Sequence, residues 1–116
     1  MLEAEQLTYN IRGCIFEVSR QLGGGFLEKV YENALLAELQ YNGFKTKNQK
    51  SINVYYKDQI VGEYIADLIV ENQVLIELKA VACLSSAHEA QLLNYLKATN
   101  IKVGLLVIFY SPQSYY

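Results

Sequence analysis

Three ionisable residues stand inside sequence that otherwise reads as buried β-strand: Asp67 at the head of "DLIV", and Glu77 and Lys79 within "VLIELKA". Charges in such surroundings are costly unless a partner neutralises them. If Glu71-Asn72-Gln73 is a three-residue turn, Val70 faces Val74. Continuing outward, Asp67 faces Glu77 on one side of the sheet. Directly opposed β-carbons lie about 4.5–5.5 Å apart, where like charges repel. Lys79 shares that side, because strand side chains alternate with a period of two. Two chemistries fit this group. In one, Lys79 neutralises an acid diagonally and the cluster is a structural ion-pair network. In the other, the carboxylates hold a hard divalent cation through oxygen, and Lys79 faces a reacting group. Glu28, just after the Gly23-Gly24-Gly25 run, poses a similar choice. It is either an acid stabilised by the dipole at a helix start, or a third carboxylate delivered from the helix side.

The elements that must position these groups are legible from periodicity. Leu7, Ile11, Cys14, Ile15, Val18 and Leu22 recur at three-four spacing and predict an amphipathic helix that stops at the triple glycine. A second helix is expected from about Phe26 to Tyr41, burying Leu27, Val30, Tyr31, Ala34, Leu35 and Leu39, with Gly43 closing it. The glycines are no dinucleotide fingerprint, since they follow a helix rather than a strand. From Phe44 the period changes to two: an edge strand or irregular segment, a strand carrying Ile52, Val54 and Tyr56, a turn at Lys57-Asp58-Gln59, and the return strand "IVGEYIADLIV". "SSAHEAQLLNYLKATN" reads as a helix, with Ser85 or Ser86 as N-cap and Glu89 in its first turn. The apolar run "KVGLLVIFY" predicts a central strand covered on both faces, parallel to Val74–Ala80 and ended by Pro112. The chain thus reads as one α/β domain over residues 1–116: a mixed sheet flanked by helices, with no repeats, linkers or low-complexity segments.

Composition narrows the function classes. The 116 residues carry a net charge of -2, which gives no support for generalised nucleic-acid affinity, so any such contact must be local. No apolar run approaches the roughly 18–20 residues of a membrane span, and the N-terminus lacks a signal-peptide pattern. Two cysteines, Cys14 and Cys83, make no disulfide framework and point to a reducing cytoplasm. His88, the one histidine, lacks the companions of a zinc site or nucleophilic triad and reads as a first-turn residue. Lys45, Lys47, Lys50 and Lys57 read as edge-strand protection, with tracking of a phosphate backbone as the alternative. Tyr55, Tyr56, Tyr115 and Tyr116 are candidates for a homodimer interface or for base stacking; the sequence leaves both open.

Taken together, these residues resemble a known family. Asp67 followed by Glu77-Leu78-Lys79 looks like the acid…(D/E)-x-K signature of the PD-(D/E)XK nuclease superfamily, and the order of elements is similar to its core. "GFLEKVY" places Gly25, Glu28 and Tyr31 at the spacing that names the GxxExxY proteins, and "HEAQLLNYLKAT", with Gln91 and Tyr95, resembles the Q-x-x-x-Y helix of RecB-like nucleases. The likeness runs from about Leu7 to Phe109. Two departures are visible: Ala66 precedes Asp67 where proline is usual, and the chain closes in "VIFYSPQSYY" rather than in a more polar, glycine-containing segment. The resemblance implies a restriction-endonuclease-like core and a metal-dependent nuclease acting on phosphodiester bonds, in DNA before RNA. It implies Glu28, Asp67, Glu77 and the Leu78 carbonyl as ligands of Mg²⁺, with Mn²⁺ as substitute. Asp67, Glu77 and Lys79 would be catalytic, the lysine acting on the attacking water or on the developing phosphate charge. Gln91 and Tyr95 would contact the substrate backbone or brace the site. The alternative is a catalytically inactive interaction module on the same fold.

Overall fold

The computed structural model describes residues 3–110. Helices α1 (Ala4–Leu22) and α2 (Glu28–Tyr41) come first, followed by strands β1 (Thr46–Tyr56), β2 (Gln59–Val70) and β3 (Val74–Val81). Helix α3 (Ser86–Thr99) and strand β4 (Val103–Tyr110) complete the described chain. The sheet runs β1-β2-β3-β4, antiparallel except for the parallel β3–β4 pair. The expected mixed α/β architecture is therefore present. No helix among the described residues is long and apolar enough to cross a membrane.

Both turns of the meander form where their residues allow. Lys57 and Asp58 take left-handed conformations (φ 49° and 70°) between the paired Tyr56 and Gln59. That double positive φ is the two-residue hairpin turn whose twist matches the flanking strands. Glu71 and Asn72 do the same at φ 53° and 54°, and Gln73 N–H donates to Val70 at 2.9 Å. Val70 pairs with Val74, as the three-residue turn requires.

The sheet separates two apolar layers. On one side Leu7, Ile11, Cys14 and Val18 of α1 and Tyr31, Leu35 and Leu39 of α2 pack on Leu68, Val70, Val74, Ile76 and Leu78. On the other, Tyr95 of α3 packs with Ile52, Ala66, Ile69 and Leu75. α2 departs from its expected face. Leu27 is 78% and Val30 37% exposed, while Glu32 is buried in their place. The helix begins at Glu28 rather than Phe26, and Tyr31 fixes its rotation. Its ring stacks on Phe109 with centroids 4.3 Å apart, and its hydroxyl donates to the Gly23 carbonyl at 2.6 Å and accepts from Phe26 N–H at 3.2 Å. Tyr31→Phe keeps the stack and removes both bonds; we expect a loss of about 1–2 kcal/mol in chemical denaturation. An unchanged denaturation midpoint would show that the loop is held by other means.

A second correction concerns β4. It pairs with β3 alone and forms an edge of the sheet, whereas the sequence predicts a central strand. Its apolar run reflects cover on both faces: Val107 and Phe109 enter the α1–α2 layer, and Gly104 lies against Leu92 and Leu96 of α3. Periodicity reports whether faces are covered, and carries no information on lateral neighbours. β1 forms the other edge, with Lys47, Lys50 and the turn residue Lys57 exposed, as edge protection requires.

Candidate functional site

The sheet splits at Asp67. β2 and β3 pair only at Val70↔Val74, Ile69↔Leu75 and Leu68↔Ile76, then part. On its other side β2 pairs with β1 at Leu68↔Asn48 and Ala66↔Lys50, but Gln49, opposite Asp67, drops out of the ladder with φ 50°. The strand also turns over here. Ala66 packs in the layer under α3, whereas Leu68 packs under α1 and α2. A regular strand would place residues two apart on one face. Asp67 is left at the break, half-buried, with its Oδ2 accepting the Leu78 N–H at 2.8 Å. That bond takes the place of the next ladder contact, so Asp67 and Glu77 are coupled neighbours without being a ladder pair.

Glu77 is 3% exposed, and its Oε1 is buried with no hydrogen-bond partner among the described residues. Burial, and then the adjacent charge of Asp67, push its carboxyl up to about 9; Lys79 offsets part of this. An orphaned carboxylate oxygen next to a second acid is an unfavourable arrangement for an empty apolar interior. Lys79 is half-buried one strand step beyond. Among the described residues the ion pairs are Arg20–Glu17 and Lys29–Glu32, so Lys79 pairs with neither acid. The structural ion-pair network considered from the sequence is not built.

Two helices complete the surroundings. Gly24 lies so close to the end of β4 that a β-carbon would meet the Tyr110 carbonyl at 2.9 Å, and Gly25, at φ 99°, donates its N–H to that carbonyl at 3.3 Å. This close approach seats the first turn of α2 over the ends of β3 and β4, where Glu28, exposed, accepts the Ala80 N–H at 3.4 Å. From the other side α3 presents Tyr95, whose hydroxyl accepts from Gln91 Nε2 at 2.9 Å and whose ring lies 4.9 Å from that of Tyr64. Burial, and then the charge of Glu77, raise the Tyr95 phenol above its ordinary value. α3 is started by Ser85, whose N–H donates to His88 Nδ1 at 3.3 Å while its Oγ accepts the His88 N–H at 3.4 Å. His88 is thus a capping residue in the first turn.

Sequence reasoning missed two members of this group. Glu32 is 3% exposed, paired to Lys29 at 3.0 Å, and accepts from Gln49 Nε2 at 2.9 and 3.0 Å. The same nitrogen donates to Asp67 Oδ1 at 3.4 Å. Glu32 follows Glu28 by one helical turn, so the spacing that drew attention to one acid also places the other on that side of α2. Gln49 carries no such signal: it lies in a polar, lysine-rich stretch.

As oxygen ligands, Asp67 and Glu77 have the chemistry a hard cation requires, and the unpartnered Glu77 oxygen fits that use. Glu28 is tied to Ala80, and among the described residues no three His, Cys, Asp or Glu side chains converge closely enough to enclose an ion. Two protein carboxylates suit Mg²⁺, which keeps several of its own waters.

The four-stranded mixed sheet thus opens at an acidic pair, with helices on both faces and a lysine beyond the second acid. The sequence model of the PD-(D/E)XK nuclease superfamily matches residues 5–115, and the chain belongs to that superfamily. No curated protein and no solved structure matches the chain.

Proposed function

We propose that this chain is a metal-dependent nuclease of the GxxExxY branch that hydrolyses phosphodiester bonds in DNA. The observation that carries the reading is the buried, unpartnered Glu77 oxygen beside Asp67 at the split of the sheet, with Lys79 left out of any ion pair with them. Asp67, Glu77 and the Leu78 carbonyl would hold Mg²⁺, with Glu28 approaching from α2; Mn²⁺ would substitute. A bound ion would supply Lewis acidity toward the phosphate and the attacking water. Lys79, in an ion pair with neither acid, donates to the charge that builds on the phosphate. Tyr95 is buried and half-buried Gln91 donates to its hydroxyl, so in this reading Tyr95 braces the site and Gln91 contacts the substrate backbone.

The remaining parts of the reading are a reducing cytoplasm, with Cys14 and Cys83 both free, and a homodimer through the exposed hairpin that carries Tyr55 and Tyr56. Tyr115 and Tyr116 lie outside the described residues.

A cation that binds the folded site and not the unfolded chain stabilises the fold by mass action. At saturating Mg²⁺ or Mn²⁺ the unfolding temperature is expected to rise by about 5–10 °C, and Asp67→Asn to lose most of that rise. Superimposable melting curves with and without the cations would show that the site holds no metal.

A further inference from the structure

The Asp67 carboxylate is oriented by groups that the superfamily signature does not include. We propose that Glu32 and Gln49 are positioning residues that act through Asp67, an inference that rests on the nuclease reading of the site. The Gln49 amide has two hydrogens and three acceptors: Glu32 Oε1 and Oε2 at 2.9 and 3.0 Å, and Asp67 Oδ1 at 3.4 Å. One hydrogen serves each carboxylate, so a neutral amide stands between two acids that would otherwise repel. Asp67 is then held at both oxygens, Oδ1 by Gln49 and Oδ2 by the Leu78 N–H at 2.8 Å.

The backbone is arranged to allow this. Gln49 leaves the β1–β2 ladder and takes φ 50°, a conformation that non-glycine residues seldom adopt without compensation. Its compensation is the bond to Glu32. Glu32 in turn is a buried acid whose ion-pair partner, Lys29, has a side chain 58% exposed, so the Gln49 hydrogen shared between its two oxygens carries much of its satisfaction. The chain of contacts runs from α2 through β1 to the one acid at which both ladders of β2 break. Groups that orient a first ligand in this manner tune its use without touching the reacting atoms.

The test uses the full chain with Gln49→Met, and the double variant Glu32→Leu/Gln49→Met, which removes the buried charge together with its donor and so protects against misfolding. The first readout, in chelator, is hydrogen exchange at the Leu78 amide, which reports how firmly Asp67 is held. Exchange there is expected to quicken about tenfold in both variants, with the Ile76 amide, paired through the intact Leu68 position, unchanged. The second is Mn²⁺ affinity by spin resonance, expected to weaken about tenfold. Wild-type exchange at Leu78 in the folded double variant would overturn the positioning role. Faster exchange at Leu78 in a protein whose wild type binds no Mn²⁺ would uphold the positioning role and defeat the metal reading instead.

Discussion

Lys79→Ala is expected to lower cleavage by about 10²–10³-fold while leaving the fold and cation binding intact. The lysine is half-buried beside two acids and pairs with neither, so its removal breaks no ion pair. Its charge does lower the cost of ionising Glu77, and it competes electrostatically with a cation held by the same acids. Mn²⁺ affinity should therefore be unchanged or tighter in the variant. Cleavage falls because the lost donor acts on charge present only in the transition state, and losses of that kind appear in the rate rather than in binding. A lysine that served only to neutralise the acids would give the reverse pattern, with a weakened fold and no change in rate. Melting curves, Mn²⁺ titration and single-turnover cleavage on one preparation separate the two.

Glu77→Gln is expected to lose cation binding and cleavage together, yet to stabilise the cation-free fold as pH rises. The folded carboxyl is pushed up to about 9 by burial and by Asp67, against an ordinary value of 4.5. Below the ordinary value both folded and unfolded chains hold this proton, and Glu77 contributes no pH dependence. Between the two values the folded chain holds more protons than the unfolded one, so stability falls with rising pH, at up to about 1.4 kcal/mol per unit. Above about 9 the loss is complete. A glutamine has no such titration. Denaturation in chelator at about pH 5, 7 and 9 should show the variant gaining on the wild type across the series. Parallel stability profiles would show that Glu77 is ionised in the folded protein, and that the unpartnered oxygen is solvated.

Most of the scaffold was legible because it is written in local signals. Polar turn residues marked the two hairpin turns, and the Glu71–Gln73 turn set the β2–β3 register correctly for its three pairs. What could not be read was where that register stops. The parting of the strands at Asp67 depends on Gln49 leaving the β1 ladder and on Leu78 N–H turning to a side chain, both of which are tertiary events. Pairing continued outward from Val70 and Val74 therefore places Asp67 opposite Glu77, and the structure keeps them adjacent by a different route. Glu32 was hidden for a related reason. A buried acid in a helix looks like an exposed one until its partner is known, and its partner, Gln49, sits on the edge strand seventeen residues away. The edge position of β4 was likewise invisible, since an apolar run measures cover and not neighbours.

The activity proposed for this site is cleavage of nucleic acid. Its most direct test is incubation of the wild type and of Lys79→Ala with end-labelled single-stranded, duplex and branched DNA and with RNA, in Mn²⁺ and in chelator. The wild type is expected to cleave at least one DNA substrate in a Mn²⁺-dependent manner, and Lys79→Ala to lose that cleavage. Intact substrates throughout, from a wild type that binds Mn²⁺ and is folded, or equal cleavage by the two proteins, would contradict it.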